Sequence, residues 1–236
     1  MKELAQNAQN VLGLKLTSSQ LASLECYEQQ LLEWNARFNL TAIQEPEKIR
    51  TKHFLDSLTC LIAMRDTTME RVIDVGTGAG FPGLPLKIIY PRMRLTLVES
   101  VRKKVDFLRH LVTTLGLEQV DILNERIETI GQIPSYRQKF DWAIARAVAV
   151  MPVLAEYLIP LVKVGGAVIA MKGENAPIEV QKAERAIHML GGHLRKLIPV
   201  TLPGVADERY LVVIDKVAAT PLNYPRGVGI PTKKPL

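Results

Sequence analysis

A short apolar segment followed by three alternating glycines is the feature that most restricts the fold of this chain. Val72–Val75 has the composition of a buried strand, and Gly76, Gly78 and Gly80 follow it directly. Glycine adopts positive φ angles readily and places no Cβ between the backbone and a bound molecule. After the first strand of an open α/β sheet, such a turn forms a cofactor crevice. The pattern therefore predicts a cofactor site at the edge of a strand–helix fold.

Strands and helices alternate from residue 71 onward, which predicts a mostly parallel sheet with helices on both faces. The strands expected are Arg71–Val75, Leu95–Val98, Val120–Leu123, Asp141–Ala145 and Ala167–Met171, and the helices are Pro85–Tyr90, Arg102–Leu115, Met151–Val162 and Ile178–Leu190. The last two strands, Leu194–Val200 and Tyr210–Ile214, are joined without a helical pattern. We therefore expect an antiparallel hairpin at one edge of a Rossmann-like α/β sheet.

The N-terminal third shows helical periodicity and no strand pattern. One helix is expected over residues 17–38, with Trp34 and Phe38 in the core, and a second from Pro46 to about Met64. The domain organisation that follows is an N-terminal helical cap at 1–66, an α/β domain at 67–216 and a basic C-terminal tail at 217–236.

Charge and cysteine content restrict the partners and the compartment. Thirty Lys and Arg face 24 Asp and Glu, and no acidic residue follows Asp215. A basic tail of this kind suggests a polyanionic partner such as nucleic acid. We expect the tail to be either a mobile RNA-binding arm or a strap that lies along the domain. Cys26 and Cys60 lack metal-ligand spacing and are expected as buried thiols. Apolar runs are too short for a membrane span, and the N-terminus lacks the apolar core of a secretory signal, so we expect a cytoplasmic location.

An acid at the end of the second expected strand supports a cofactor that contains ribose. Glu99 lies 19 residues beyond Gly80, where a carboxylate can accept hydrogen bonds from both ribose hydroxyls. S-adenosylmethionine and nicotinamide dinucleotides both carry such a ribose, and both cofactor classes are bound by glycine loops of this kind.

The register of the glycines favours S-adenosylmethionine over a nicotinamide cofactor. Gly78–Gly83 formally matches G-x-G-x-x-G. Counted from Gly76, however, the third glycine of that motif falls on Phe81. Pro82 then lies at the start of the helix whose N–H groups would have to meet a pyrophosphate. A nicotinamide-binding protein is kept as the weaker alternative.

With these residues in view, the chain closely resembles the bacterial glucose-inhibited division protein B family, the 16S ribosomal RNA guanine-N7 methyltransferases. The resemblance covers nearly the whole chain. Its segments are Leu32–Asn35, Asn39–Thr41, His53–Ser57, Asp74–Leu86, Leu97–Ser100, Arg126–Glu128, Ala145–Val148, Ala170–Gly173, Arg209–Ile214, Tyr224–Arg226 and Lys233–Leu236. It implies a class I methyltransferase fold, S-adenosylmethionine as the cofactor, 16S rRNA in the small ribosomal subunit as the partner, and a monomer that needs no metal or membrane.

The resemblance also implies the site residues. Cofactor-binding positions carried over from the family are Gly76, Gly78, Phe81, Glu99, Ser100, Val101, Ile127, Glu128 and Arg146. Arg146, at the methyl-donor end, is also the catalytic candidate, where it would touch the base or the cofactor carboxylate. Its alternative role is a salt bridge that closes the strand end.

RNA contacts are expected from cations around the same cleft. Lys172 and Arg209 are the RNA-binding candidates, with a solvated lysine and an edge-strand charge as their alternatives. The Arg102–Lys104 run and the tail are further candidates. His53 and Asp56, three residues apart on one helix face, are interpreted as a helix-packing pair, with a position lining the cleft as the alternative.

Guanine N7 carries an in-plane lone pair and no proton, so its methylation needs no general base. Alignment of the two reactants would supply most of the catalysis. A non-catalytic ribosome-assembly factor that retains a cofactor pocket is the alternative from another functional class.

Overall fold

Seven strands form one mixed sheet in the computed structural model, which describes residues 1–236. The strands are β1 (Arg71–Val75), β2 (Arg94–Val98), β3 (Val120–Leu123), β4 (Phe140–Arg146), β5 (Val162–Gly173), β6 (Gly192–Val200) and β7 (Arg209–Lys216). Their order is β3-β2-β1-β4-β5-β7-β6. β1 to β5 pair in parallel, and β7 pairs antiparallel with both β5 and β6. The predicted parallel sheet with an antiparallel edge hairpin is confirmed.

Helices cover both faces of this sheet. From β1 onward they are α6 (Gly83–Ile89), α7 (Arg102–Thr114), α8 (Ile127–Ile130), α9 (Met151–Leu158), α10 (Ala176–Met189) and α11 (Ile230–Lys233). Side chains alternate along each strand, so Val72 and Trp142 join the core under α6 and α7, whereas Ile73 and Ala143 join the core under α9 and α10. No helix in the structure combines the length and apolar character needed to cross a bilayer.

One predicted helix is too long at its C-terminus. The pattern extended it from Met151 to Val162, but α9 ends at Leu158, a single 3-10 turn follows, and Val162 begins β5. Pro160 explains the stop, because proline has no N–H to donate and its ring clashes with the carbonyl four residues back.

The N-terminal cap contains a helix that the sequence pattern did not predict. α1 (Lys2–Leu12) buries Leu4, Ala8 and Leu12, which lie four residues apart on one face. α2 (Ser18–Phe38) confirms the helix expected over residues 17–38, and it begins with a capping box between Thr17 and Gln20.

Of the four cap side chains expected in the core, Trp34, Phe38 and Cys26 are less buried than predicted and Cys60 is buried. Trp34 is half-buried against Phe107, with ring centroids 5.6 Å apart, but Phe38 is 38% exposed, so its assignment to the core is wrong. Cys60 is buried, and Cys26 is half-buried.

The helix predicted from Pro46 to Met64 is broken into segments. α3 (Pro46–Ile49) leads into a π-helical turn at Arg50–Leu55, followed by α4 (Asp56–Leu58) and α5 (Leu61–Met64). Ser57 Oγ donates to the His53 carbonyl at 2.6 Å, and Thr59 Oγ1 donates to the Asp56 carbonyl at 2.6 Å. Such side-chain bonds compete with the regular helical ladder, and π-turns occur often at functional sites.

The C-terminal tail lies as a strap along the domain. The Arg226 backbone N–H and guanidinium both donate to the fully buried Glu156, each at 2.7 Å. Arg137 Nη2 donates to the Thr220 and Pro221 carbonyls at 2.9 and 3.0 Å. Of the two arrangements expected for the tail, the structure therefore shows the strap and not the mobile arm.

Candidate functional site

The glycine loop has the backbone conformation that its sequence predicts. Gly76, Gly78 and Gly80 have φ angles of 65°, 62° and 102°, in the region that side chains disfavour. A Cβ on Gly76 would lie 2.6 Å from Val148 Cγ2. The Tyr27 hydroxyl of α2 donates to the Ala79 carbonyl at 2.6 Å. The cap therefore fixes the loop from one side, and the absence of side chains keeps it open on the other.

Asp74, the last residue but one of β1, holds the loop from below. Its Oδ2 accepts from Thr77 Oγ1 at 2.6 Å and from the Gly83 N–H at 2.8 Å, while its Oδ1 is buried without a partner. Desolvation raises the pKa of this carboxyl to about 6. Asp74 thus links the strand to the first turn of α6.

Glu99 is oriented by backbone donors on both of its oxygens. Oε2 accepts from the Gly78 N–H at 3.0 Å and Oε1 from the Val101 N–H at 2.8 Å. Each carboxylate oxygen retains a lone pair. Glu99 borders a cavity, so this geometry fits the recognition of two adjacent ribose hydroxyls. Val101, one of the predicted cofactor residues, takes part through its backbone N–H, which orients Glu99. Its side chain points to solvent and is 39% exposed.

Two cavities meet at Gly76. The first, of about 410 Å³, is lined by five of the predicted cofactor residues: Gly76, Glu99, Ser100, Ile127 and Glu128. The second, of about 640 Å³, is lined by Gly76, Gly78, Phe81 and Arg146 together with both RNA candidates, Lys172 and Arg209. The predicted residues are thus divided between two halves of one cleft. We name the first half, which contains Glu99, the ribose cavity, and the second half, which contains Arg146, the arginine cavity.

Arg146 is held rigidly at the end of β4. Its Nη1 donates to Asp56 Oδ2 at 2.7 Å and to the Lys52 carbonyl at 3.1 Å, and its Nη2 donates to His53 Nδ1 at 3.1 Å. The guanidinium also lies over the Phe81 ring, 5.1 Å from its centroid. Arg146 therefore has the predicted salt bridge and also borders the cavity.

His53 and Asp56 contact Arg146 from the segmented helix, so their interpretation as a helix-packing pair is wrong. Burial, followed by the charge of Arg146, lowers the pKa of His53 to about 3, and the ring is neutral. Since Nδ1 accepts from Arg146, Nε2 carries the proton and donates to Thr41 Oγ1 at 2.9 Å. The π-turn brings both residues to the arginine cavity, and helical spacing alone could not predict that turn.

The two RNA-binding candidates at the arginine cavity, Lys172 and Arg209, are paired with acids. Lys172 binds Glu179 at 2.7 Å and the Ala149 carbonyl at 3.0 Å, and Arg209 lies 3.4 Å from Asp56. Within the Arg102–Lys104 run, Arg102 is exposed on α7, whereas Lys104 lines the arginine cavity. Lys104 is therefore a residue of the cavity wall, whereas the sequence indicated only that it belongs to a run of basic residues.

Comparison with known proteins decides the family. The family model GidB, described as rRNA small subunit methyltransferase G, matches residues 20–203. A protein of that name from Roseiflexus sp. is 48% identical over 98% of this chain and 97% of its own. A second, from Alkaliphilus oremlandii, is 44% identical over 100% of this chain and 99% of its own.

The chain belongs to the rRNA small subunit methyltransferase G family. The family match spans both halves of the cleft but ends before Arg209 and the strap. A solved precorrin-6y C5,15-methyltransferase from Geobacter metallireducens shares the fold, with a TM-score of 0.53, 14% identity, and coverage of 68% of this chain and 87% of that chain. The class I methyltransferase fold is thereby confirmed. Membership of a methyltransferase family rules out the alternative of a nicotinamide-binding protein.

Proposed function

We propose that this protein transfers a methyl group from S-adenosylmethionine to N7 of one guanine in 16S rRNA. The observation that carries the proposal is the junction of two cavities at Gly76 in a chain of the rRNA small subunit methyltransferase G family. One cavity fits a ribose-containing cofactor, and the other has room for a base beside Arg146. A cofactor that is bound in the first cavity and lies across Gly76 would reach into the second cavity.

The ribose cavity fits the proposed cofactor. Glu99 would hold the ribose hydroxyls, Ile127 and Glu128 would border the adenine, and Gly76 and Gly78 would let the cofactor approach the backbone. When bound, S-adenosylmethionine supplies an electrophilic methyl group on a sulfonium. The cationic Arg146 and Lys104 border the adjoining cavity, where they suit the carboxylate of the cofactor or an anion of the substrate.

The arginine cavity fits an acceptor that needs no general base. The His53 ring is neutral, its Nδ1 lone pair faces Arg146, and its Nε2 proton is directed to Thr41. The carboxylate of Asp56 is held between Arg146 and Arg209. Guanine N7 has a free lone pair, so these residues would orient the base and exclude water rather than remove a proton.

The target base would have to leave its stack to reach this cavity, because Arg146 is largely buried. An arginine donor can hydrogen-bond guanine O6 and leave the N7 lone pair free to attack the methyl group. The Phe81 ring beneath the guanidinium limits the tilt of Arg146. We therefore assign Arg146 to orient the guanine or the cofactor carboxylate, and its ion pair with Asp56 keeps it in place.

The proposal extends to the whole chain. Residues 1–66 form a cap that contributes one wall of the arginine cavity, 67–216 form the methyltransferase domain, and 217–236 form the strap. The excess of six positive charges suits a phosphate-rich partner. Small-subunit rRNA, alone or within the ribosomal subunit, is that partner, which places the enzyme in the cytoplasm.

The test is transfer of labelled methyl from S-adenosylmethionine to small-subunit RNA, run beside cofactor titrations. We expect binding of S-adenosylmethionine, no binding of a nicotinamide dinucleotide, and label in the RNA. Binding of RNA and S-adenosylmethionine without transfer would instead indicate a non-catalytic assembly factor. Binding of the nicotinamide cofactor alone would reject the methyltransferase proposal.

A further inference from the structure

The strap reaches the ribose cavity and bonds to a residue of its wall. Glu128 is 5% exposed, and its Oε1 accepts from the Gly229 N–H at 2.9 Å and from the Tyr157 hydroxyl at 3.2 Å. The Tyr157 hydroxyl also lies 3.1 Å from Thr232 Oγ1 of the strap. Two strap residues, Gly229 and Thr232, therefore help to fix the Glu128 side chain.

The opposite oxygen of Glu128 remains available. Both donors bond to Oε1, and Oε2 makes no hydrogen bond within the protein. It is also not among the buried polar atoms without a partner. A carboxylate oxygen at the edge of a cavity is an acceptor for an amine such as the exocyclic amine of adenine. The strap thus holds one oxygen and leaves the other as an acceptor.

Strap residues also form part of the cavity wall itself. Thr232 and Pro235 line the ribose cavity together with Ile127 and Val153. The proline ring and the aliphatic side chains give this end an apolar surface, which suits the face of a purine. The wall that Thr232 and Pro235 supply lies outside residues 20–203, the part matched by the family model.

The strap is anchored well enough to act as a wall. Arg226 forms a paired interaction with Glu156, whose side chain is fully buried. Lys216, where the strap leaves β7, is also buried and donates to the Leu190 carbonyl at 2.9 Å. A Cβ on Gly131 would lie 2.6 Å from Pro225 Cγ, so the strap backbone is packed closely against the domain.

We propose that Gly229, Thr232 and Pro235 of the strap are part of the cofactor site, where they close the adenine end of the cavity and position Glu128 to read the adenine amine. This inference rests on the proposed methyltransferase function. It gives the basic tail a role in cofactor affinity, in place of the RNA-binding arm that its charge suggests. Gly229 and Thr232 are positioning residues for Glu128, and Pro235 is a wall residue.

The decisive experiment compares the full chain with a chain that ends at Gly227, which retains the Arg226–Glu156 pair. Isothermal titration calorimetry gives the Kd of each for S-adenosylhomocysteine and for 5′-methylthioadenosine, which carries only the adenosine half. We expect both Kd values to rise at least tenfold on truncation, by about the same factor. The KM for small-subunit RNA, measured at saturating cofactor, should stay within twofold.

Point variants decide the matter if the truncated chain fails to fold. Tyr157→Phe removes the hydroxyl that joins Glu128 to Thr232, and Thr232→Val removes the other hydroxyl with little change of shape. Each should weaken S-adenosylhomocysteine binding several-fold. Thr232→Ser, which keeps the hydroxyl, should bind S-adenosylhomocysteine as tightly as the original protein. The matched control is Lys233→Ala with Lys234→Ala, which neutralises the strap side chains that face solvent and should leave the Kd unchanged.

The outcomes separate the two levels of the proposal. A cofactor Kd that is unchanged by truncation and by the Tyr157 and Thr232 variants would overturn the strap inference. A rise in the KM for RNA in the lysine double variant, with an unchanged cofactor Kd in every variant, would assign the strap to RNA instead. Failure of the full chain to bind S-adenosylhomocysteine would reject the proposed function itself.

Discussion

At the scale of single residues, Arg146 is an ion-pair partner and also the proposed catalytic residue. It compensates Asp56, whose side chain is 3% exposed, and it also borders the arginine cavity. Arg146→Ala should lower the rate of methyl transfer at least 100-fold if the guanidinium orients a reactant. It should also cost about 1–3 kcal/mol of unfolding free energy, because Asp56 loses its shorter ion pair. Single-turnover kinetics and urea unfolding measure the two effects.

A double variant separates these two effects. Arg146→Ala with Asp56→Asn removes the carboxylate that has lost its shorter ion pair, so it should recover much of the stability and none of the activity. Activity that returns together with stability would show that Arg146 is only a structural ion pair.

Asp74 links the glycine loop to the pH dependence of stability. Burial raises the pKa of its carboxyl from 3.8 to about 6, so the folded protein holds this proton more tightly than the unfolded chain. Its contribution to stability is therefore complete below pH 3.8 and is lost as the pH rises through about 6.

The Asp74→Asn variant tests this linkage, because the amide does not ionise and still offers an oxygen to Thr77 and Gly83. The unfolding free energy of the variant relative to the original protein should rise by about 2 kcal/mol between pH 4 and pH 7.5. Urea unfolding at a series of pH values measures it. A difference that does not change with pH would contradict the raised pKa.

At the scale of elements, the proposed cofactor site depends on the glycine loop. Gly76→Ala would add a Cβ 2.6 Å from Val148 Cγ2, at a φ of 65°. Gly116→Ala is the matched control, since its φ is 59° and nothing lies within 4 Å of the added Cβ. Both changes should cost about 1 kcal/mol of stability from backbone strain. Only Gly76→Ala should weaken S-adenosylhomocysteine binding, by at least tenfold. Equal affinity in the two variants would show that the loop does not contact the cofactor.

Elements defined by local patterns could be predicted from the sequence. The strands β1 and β3 have the predicted bounds, and the glycine loop follows from residues adjacent in the chain. Glu99 could be placed beside that loop because it follows the next strand of a parallel sheet. The hairpin was predictable because no helical pattern separates its strands. α1 was missed although Leu4, Ala8 and Leu12 have helical spacing, because polar residues interrupt that short segment.

Elements that depend on distant partners could not be predicted. The π-turn at Arg50–Leu55 is stabilised by side-chain bonds and by the capture of His53 and Asp56 by Arg146, about 90 residues later in the chain. The path of the strap depends on Glu156 and Glu128, and a proline-rich tail has no periodicity that would indicate such partners. The charges of Lys172 and Arg209 were visible in the sequence, but their ion pairs were not.

At the scale of the whole molecule, three parts of the chain meet around one cleft. The cap supplies Asp56 and His53, the α/β domain supplies the glycine loop and Arg146, and the strap supplies Thr232 and Pro235. The ribose cavity lies toward the strap, and the arginine cavity lies toward the cap. The two cavities, which we propose as the base site and the cofactor site, share only Gly76.

The central claim is that one guanine of 16S rRNA receives the methyl group at N7. Its most direct test is chemical cleavage at 7-methylguanine followed by primer extension along the rRNA, in cells with and without this protein. The account predicts one cleavage site that disappears when the protein is removed and returns with the intact chain, but not with the Arg146→Ala variant. An identical cleavage pattern in both kinds of cell, or a lost methyl group that maps to another atom or base, would contradict it.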